Sequence, residues 1–444
     1  MATTAVRGLS VAVALATLQI SGNANAGSLV ESVNLALASN PEIAIRTSEA
    51  SARRDEVRQA EAGYLPRVDL SAGIGFEDSR NATTLNDSDL KDKHAQRTRR
   101  EGAITLRQML FDGLRTKSAI SQQAARHASA KADVCFISED IALQAAQAYI
   151  NVLRARRLVE NGRVNLDNHE RVVEKVRKKA KSGLGSDADL VQAQGRLVLA
   201  QANLISLEAA QGDAEAVYRK TVGNLPDSFD HPTSPSTVPG DLDVAMETAA
   251  GNHPGLKLAA ADVEAAEALY KSSKSAYYPT FTAELGATWG KDQEGSKGTI
   301  NDTTAMLRMN YNLYNGGADK ARKSQTANLL NEAIEVKNRT HRQVDEEVRL
   351  AWVAVTFGQN RLDALAAHVR SAERTRDYYN QQFDLGTRTL LDLLDSQNEF
   401  FTAQSAYTNG QNDLMYNQYR LLRSTGSLLS SLNARLPNQA AHCM

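Results

Sequence analysis

The sequence predicts a mainly α-helical chain with a transmembrane β-barrel portion, arranged as two tandem repeats of helix, β-hairpin, long helix and helix. Three observations lead there. The chain aligns on itself in one register. Each half holds two segments of alternating polarity, about ten to twelve residues long, the length a tilted strand needs to cross a bilayer. Aromatic residues make up only 5% of the chain, while Ala, Gln, Asn, Ser and Leu abound, which suits long helices.

The first element is a targeting segment, residues 1–26. Arg7 supplies a positive start, "LSVAVALATL" an apolar core, and "NANA" a cleavage site after Ala26. The apolar run is too short for a comfortable membrane anchor. No Cys adjoins the cleavage site, so a lipid anchor is not expected. The 444 residues carry a formal net charge of -1, which argues against bulk attraction to nucleic acid. Cys135 falls in a predicted helix and Cys443 in the tail; they are expected to be unrelated thiols, with no disulfide framework and no metal site.

Repeat one spans 27–223 and repeat two 242–430, with a tail at 431–444. Pro41 maps to Pro254 and Pro66 to Pro279; "LFDG" (110–113) maps to "LYNG" (313–316), and Gly223 to Gly426. Between the repeats, 224–241 holds four of the nine prolines and reads as a linker. Each repeat opens with a helix of about 35 residues ending at "GYLP" or "AYYP", where proline disfavours helix for its predecessor.

Strands follow at about 67–78 and 102–111, then at about 280–290 and 303–314. In "RVDLSAGIGFED", Val68, Leu70, Ala72, Ile74 and Phe76 share one face; Phe281, Leu285 and Trp289 do so in "TFTAELGATWG". Tyr64, Phe111, Tyr277, Tyr278 and Tyr314 cluster at one end of the strands, Phe76 and Trp289 near the other. Two such aromatic girdles are expected where a barrel meets its two interfaces. Four strands cannot close a barrel, and an open edge in lipid leaves backbone groups unsatisfied. Closure therefore calls for further copies, and three copies would supply about twelve strands.

After each hairpin comes a helical stretch of about 70 residues, a glycine break and a helix of about 35, with mixed small apolar and charged positions suited to coiled coils. Within the second break, "FDLGTRTLLDLLDSQ" (383–397) sets Asp392 and Asp395 one turn apart in a leucine-rich run. Thr389-x-x-Asp392 fits a capping box, and Ser186-x-x-Asp189 repeats it in the first half. Asp392 thus suits a cap and a channel-lining role alike. Asp395 and Arg388 have no acidic or basic counterpart in repeat one, where Gln192 and Gly185 stand. Gly183 and Gly386 are placed to break the helices. The basic run 171–183 reads as a solvated face. No H-E-x-x-H, P-loop or G-x-S-x-G is present, so neither catalysis nor a cofactor is expected.

Over residues 28–430 the pattern resembles the TolC family of outer-membrane channel proteins, most specifically at "LGTRTLLDLLD" (385–395). The resemblance implies a homotrimer, with a twelve-stranded barrel in the outer-membrane lipid of a Gram-negative bacterium and an α-helical tunnel in the periplasm. It implies two aspartate rings at the constriction, at Asp392 and Asp395, and a tethering arginine, Arg388, with Asp189 at the acidic partner position. Two departures stand out: the tethering tyrosine is Phe383, and the residue before Asp189 is Ala188. The implied partners are a periplasmic adaptor protein and an inner-membrane ABC or other energised transporter. The implied function is an exit channel for polypeptide in type I secretion, with small-molecule efflux as the alternative. A soluble periplasmic coiled-coil scaffold is the rival from another class.

Overall fold

Pro41 and Pro254 each end one helix and begin another. In the computed structural model, which describes residues 27–88, 90, 92–235, 237–436 and 443, the single helix expected before each hairpin is two. α1 (Leu29–Ser39) gives way to α2 (Pro41–Glu61) at Asn40, whose side chain accepts from the Glu42 N–H. The residue before the proline is extended, with φ -72° and ψ 121° at Asn40, because the ring excludes the α conformation there. The targeting segment expected at 1–26 lies outside the described residues.

Four strands form one antiparallel sheet in chain order. They are β1 (Arg67–Ser79) and, after the short α3 (Ala82–Asn86), β2 (Ala95–Phe111); then β3 (Thr280–Lys291) and β4 (Thr299–Asn310). β2 starts well before the expected 102, because Arg97 and Arg99 prolong the ladder and Arg99 pairs with Glu77 of β1 at 3.2 Å. β4 covers 299–310 rather than 303–314. Thr299 already faces Lys291, and past Asn310 the Asn312 side chain caps a turn at Tyr314. The two faces differ as the alternation requires. Leu70 stands opposite Ile104, and Leu106 opposite Leu285, on a face where Leu70 is 80% exposed. On the other face Glu284 pairs with Arg107 at 3.4 Å and with Arg308 at 3.0 Å. An apolar outside and a charged inside is the polarity of a barrel in lipid.

Below the sheet, α4 (Arg115–Lys181) and α8 (Ala318–Asp384) each run 67 residues, about 100 Å. α5 (Asp187–Val222) and α9 (Leu390–Ser424) return alongside them; α6 (Leu242–Asn252) and α7 (Pro254–Ser273) repeat the α1–α2 break at His253. Near the sheet the helices lie side by side in the order α2, α4, α7, α8; farther away the order is α5, α4, α9, α8.

The main core sits at mid-height, where α1, the end of α9 and α10 (Leu428–Ser431) pack on α4 around Tyr149 and Tyr218. The inter-repeat segment is docked there. Phe229 packs its ring 4.9 Å from that of Tyr149 and 5.2 Å from that of Tyr218, and Tyr149 donates to the carbonyls of Gly27 and Asp230. Cys135 and Cys443, expected as separate thiols, form a disulfide that ties residue 443 to α4. Spacing gave no sign of it, because the partners lie 308 residues apart.

Gly and Leu exchange places between the repeats. A Cβ on Gly162 of α4 would meet Leu207 of α5 at 2.9 Å; one on Gly410 of α9 would meet Leu365 of α8 at 2.9 Å. Gly162 aligns with Leu365, and Leu207 with Gly410, so one knob and hole is built in opposite senses. Gly162→Leu alone should overpack and cost about 1–3 kcal/mol. Adding Leu207→Gly should recover much of that loss in thermal melting, up to about 1 kcal/mol for the new helical glycine. Absence of recovery would show that the contact is not reciprocal.

The same core holds Glu139, 4% exposed, which accepts from the Leu429 N–H, and His253, 3% exposed. Burial pushes the Glu139 carboxyl from 4.5 up to about 8, against the lowering pull of the Leu429 and Leu428 N–H groups and Arg423. Burial, aided by Arg423, lowers His253 from 6.5 to about 4. Folded Glu139 keeps a proton that the unfolded chain has released, so stability falls as pH rises from about 4.5 to 8. His253 acts oppositely, and stability falls as pH drops from 6.5 to about 4. Above about pH 6.5 only the Glu139 slope of this pair remains. Glu139→Gln should therefore flatten the decline in melting temperature between about pH 6.5 and 8.5. An unchanged slope in the variant would assign the decline to other groups.

Candidate functional site

The far ends of the two helical hairpins, away from the sheet, carry the residues singled out in the sequence. Each long helix stops in the same way. Gly183, at φ 71°, donates to the Ala180 carbonyl and Leu184 to that of Lys179; Gly386, at φ 77°, donates to Phe383 and Thr387 to Gln382. This is the Schellman stop, and its left-handed residue favours glycine. The next helices are capped. Ser186 Oγ accepts from the Ala188 N–H at 3.0 Å, and Thr389 Oγ1 accepts from the Asp392 N–H at 3.2 Å.

Asp392 is held at its helix start. Thr389 Oγ1 donates to its carboxylate at 2.8 Å, and Arg388 lies 3.6 Å away. The cap role is thus realised for Asp392. Arg388 turns back onto its own helix: Nε donates to Gln382 Oε1 at 3.0 Å, and the guanidinium stacks 4.1 Å from the Tyr379 ring centroid. Within the protomer it does not reach Asp189, which has no ion-pair partner among the described residues. A contact between Arg388 and Asp189 would have to cross between copies.

Instead, three cations join the two hairpins inside one chain. Lys175 Nζ donates to Asp384 at 2.9 Å and to Asn380 at 3.1 Å. Lys179 Nζ donates to the Phe383 carbonyl at 2.7 Å and sits 4.0 Å above that ring. Arg196 reaches Asp395 at 3.3 Å. Beneath them Val172, Val173, Val176 and Ala193 pack against Phe383, Leu390, Leu393 and Leu394. The leucines flanking the aspartates are thus divided: Leu393 and Leu394 are buried, while Leu391 is exposed. Phe383, lacking a hydroxyl, is held through its ring and carbonyl, the latter a helix-end acceptor that favours a cation.

Lys175 and Lys179 belong to the run read as a solvated face, and Arg196 was not singled out. No local signal marked them: Lys175 takes both Asn380 and Asp384, and Lys179 meets a backbone carbonyl and a ring, so no complementary charge pattern announces the contact. At the other end of the molecule the aromatic candidates are all partly or largely exposed, from Phe111 at 37% to Tyr314 at 84%.

The family model described as "Outer membrane efflux protein" matches residues 32–224 and 245–427. The chain belongs to this family, the TolC family of outer-membrane channels. Outer membrane efflux protein BepC of Brucella suis is 26% identical over 391 residues, 86% of this chain and 82% of the relative. Alkaline protease secretion protein AprF of Pseudomonas aeruginosa is 23% identical, over 90% of this chain and 84% of its own. The outer membrane protein VceC of Vibrio cholerae superposes with a TM-score of 0.77 at 18% identity, over 92% of this chain and 97% of that one. The protein is an outer-membrane channel of a Gram-negative bacterium, with its α-helical tunnel in the periplasm.

Thr389→Ala should remove the cap of α9 and cost about 1 kcal/mol locally. Gly386→Ala should cost about as much through its left-handed backbone alone, since no atom lies within 4 Å of the added Cβ. Hydrogen exchange of the 383–395 amides should quicken in both variants, while the mid-height core stays protected. Unchanged exchange would remove the caps from the account of this end.

Proposed function

We propose that three copies form a closed tube whose periplasmic end is a dilating gate, and that it passes polypeptide in type I secretion. A periplasmic adaptor and an inner-membrane energised transporter would complete the machine and supply the driving force. The observation that carries the gate is the exposed, charged join between the hairpins. Such contacts are worth on the order of 1 kcal/mol or less each, so opening is opposed mainly by the small apolar cluster beneath them, and the helices on either side stay folded. A gate for a polypeptide must open wide, and separating two hairpins provides that width. The similarity to AprF, a protein named for protease secretion, supports the polypeptide reading. The similarity to BepC, named for efflux, favours the second reading, a small-molecule efflux channel.

In the closed tube Arg388 faces the next copy and its Asp189, while Lys175, Lys179 and Arg196 hold each copy's own hairpins. Asp392 and Asp395 line the constriction, and the aromatic residues at both strand ends sit at the two membrane interfaces.

Lys175→Gln with Lys179→Gln should raise single-channel conductance in planar bilayers and admit large antibiotics to cells. Arg388→Ser should act in the same direction if the contact between copies holds. Conductance at the wild-type level in all these variants would sink the gate. Replacing Asp392 and Asp395 together by Ala should weaken cation preference, because acid rings confer it; unchanged selectivity would confine both residues to capping and pairing. For the cargo, loss of a secreted polypeptide on deleting the gene is the expected result, and drug sensitivity with an intact secretome would move the function to efflux.

A further inference from the structure

Just below the sheet, the first turns of α4 and the last turns of α7 leave a cleft of about 740 Å³. Its chemistry is layered. Leu114 and Tyr278 stand at the rim next to the strand ends, exposed by 56% and 53%. Lys117, Lys271 and Lys274 follow, and Glu264 and Glu267 lie deeper. Residues 264, 267 and 271 share one face of α7, which Lys274 follows at its C-cap, and at 1.5 Å per residue the carboxylates sit about 6 to 15 Å farther from the membrane than the lysines.

Two of these charges have no side-chain partner among the described residues: Lys117 and Glu264. Lys271 pairs with Glu267 at 2.8 Å in an exposed contact that exchanges readily, and Lys274 lies 4.3 Å over the Tyr270 ring. The order from the membrane downward is apolar, cationic, anionic. A phospholipid with a zwitterionic headgroup runs acyl chain, phosphate, terminal ammonium in the same direction.

The cleft lies on the outer side of the helical wall, an assignment that rests on the tube proposed above. Its α4 residues Ser121, Ala125 and Ala128 continue at helical spacing to Ala132, Cys135 and Glu139, the stripe that holds the disulfide to the C-terminal segment. Gly426, Ser430 and Cys443 cover that side, and it is assigned to the outside because segments packed there would narrow the bore. The opposite side of the wall bears the charged cluster around Arg46, Arg126 and Asp133.

We propose that this cleft binds a phospholipid of the periplasmic leaflet bearing a primary-ammonium zwitterionic headgroup. Lys117 and Lys274 hold its phosphate, Glu264 and Glu267 its ammonium, and Leu114 and Tyr278 guide its chains to the apolar face of the barrel. An anionic headgroup would leave the glutamates unmatched, and a quaternary ammonium would offer them no N–H.

The test uses the purified, assembled full chain in detergent micelles doped with dioleoyl phosphatidylethanolamine, phosphatidylcholine or phosphatidylglycerol. Native mass spectrometry reads the retained lipid, and bilayer conductance is recorded on the same preparation. Phosphatidylethanolamine should be retained about tenfold over the other two, the worth of one charge-assisted hydrogen bond. Lys117→Gln with Lys274→Gln should cut its retention by about tenfold or more. Glu264→Gln with Glu267→Gln should erase its advantage over phosphatidylglycerol. Both pairs should leave conductance unchanged. Equal retention of the three lipids, or retention unmoved by either pair, overturns the site, as does full displacement of the lipid by millimolar inorganic phosphate. A preparation that conducts without headgroup preference refutes the lipid site alone. One that binds selectively through these residues yet does not conduct refutes the channel and leaves the site standing.

Discussion

A four-stranded sheet in a bilayer has two edges that nothing in the same chain can pair. β1 and β4 are those edges here, and each presents a row of backbone N–H and C=O groups. In hydrocarbon there is no water to satisfy them, and each unsatisfied group costs several kcal/mol. Chain order makes the edges mutually complementary: β4 runs antiparallel to β1, so β4 of one copy can continue the ladder on β1 of the next. In the tube proposed above, the rest of the architecture follows from that closure. Every strand meets one helix at its periplasmic end: α2 enters β1, β2 leaves into α4, α7 enters β3 and β4 leaves toward α8. In the proposed tube a closed ring of strands would therefore continue as a closed ring of helices, without added wall elements.

How much of this was legible depends on how local its cause is. The hairpins, the long helices and the glycine stops are set by residues within a few positions of one another, and the sequence reads them directly. Pro41 shows the limit: its restriction on Asn40 is local, yet the overall helical pattern hid the break that divides α1 from α2. Strand ends were less legible, because β2 is prolonged by Arg99 meeting Glu77, a partner 22 residues away. Long-range pairings were not legible at all. Lys175 meets Asp384 across 209 residues, Arg196 meets Asp395 across 199, and Cys135 meets Cys443 across 308. Nothing in the local pattern of one partner announces the other. The swapped Gly162 and Gly410 show the same property, since each glycine makes sense only beside the leucine it faces.

The aspartates of "LLDLLD" join these scales. Asp392 answers a local need, the first turn of α9, where Thr389 and the helix dipole favour a carboxylate. Asp395 answers a distant one, through Arg196 of the first repeat. Each acid therefore has a cation beside it in this state, Arg388 at 3.6 Å and Arg196 at 3.3 Å. A constriction built from three such protomers would present acids already paired, and its attraction for passing cations would be weaker than six bare carboxylates suggest.

That pairing ties charge to motion in the proposed gate. Moving the α8–α9 hairpin away from α4 and α5 must break the Arg196–Asp395 contact, because its partners sit on opposite sides of the join. The Arg388–Asp392 contact survives, since both residues ride on one hairpin. Of the two constriction acids, opening would therefore unpair Asp395 alone, where Gln192 stands in the first repeat and Arg196 is left behind; Asp384 loses Lys175 in the same movement. Between the two aspartates, the one without an acidic counterpart in repeat one is the one whose surroundings change with the gate, and Asp392, at the duplicated position, stays a cap. The duplication supplied the hairpin and its stops twice; the asymmetry of a gate needs charges that were not copied.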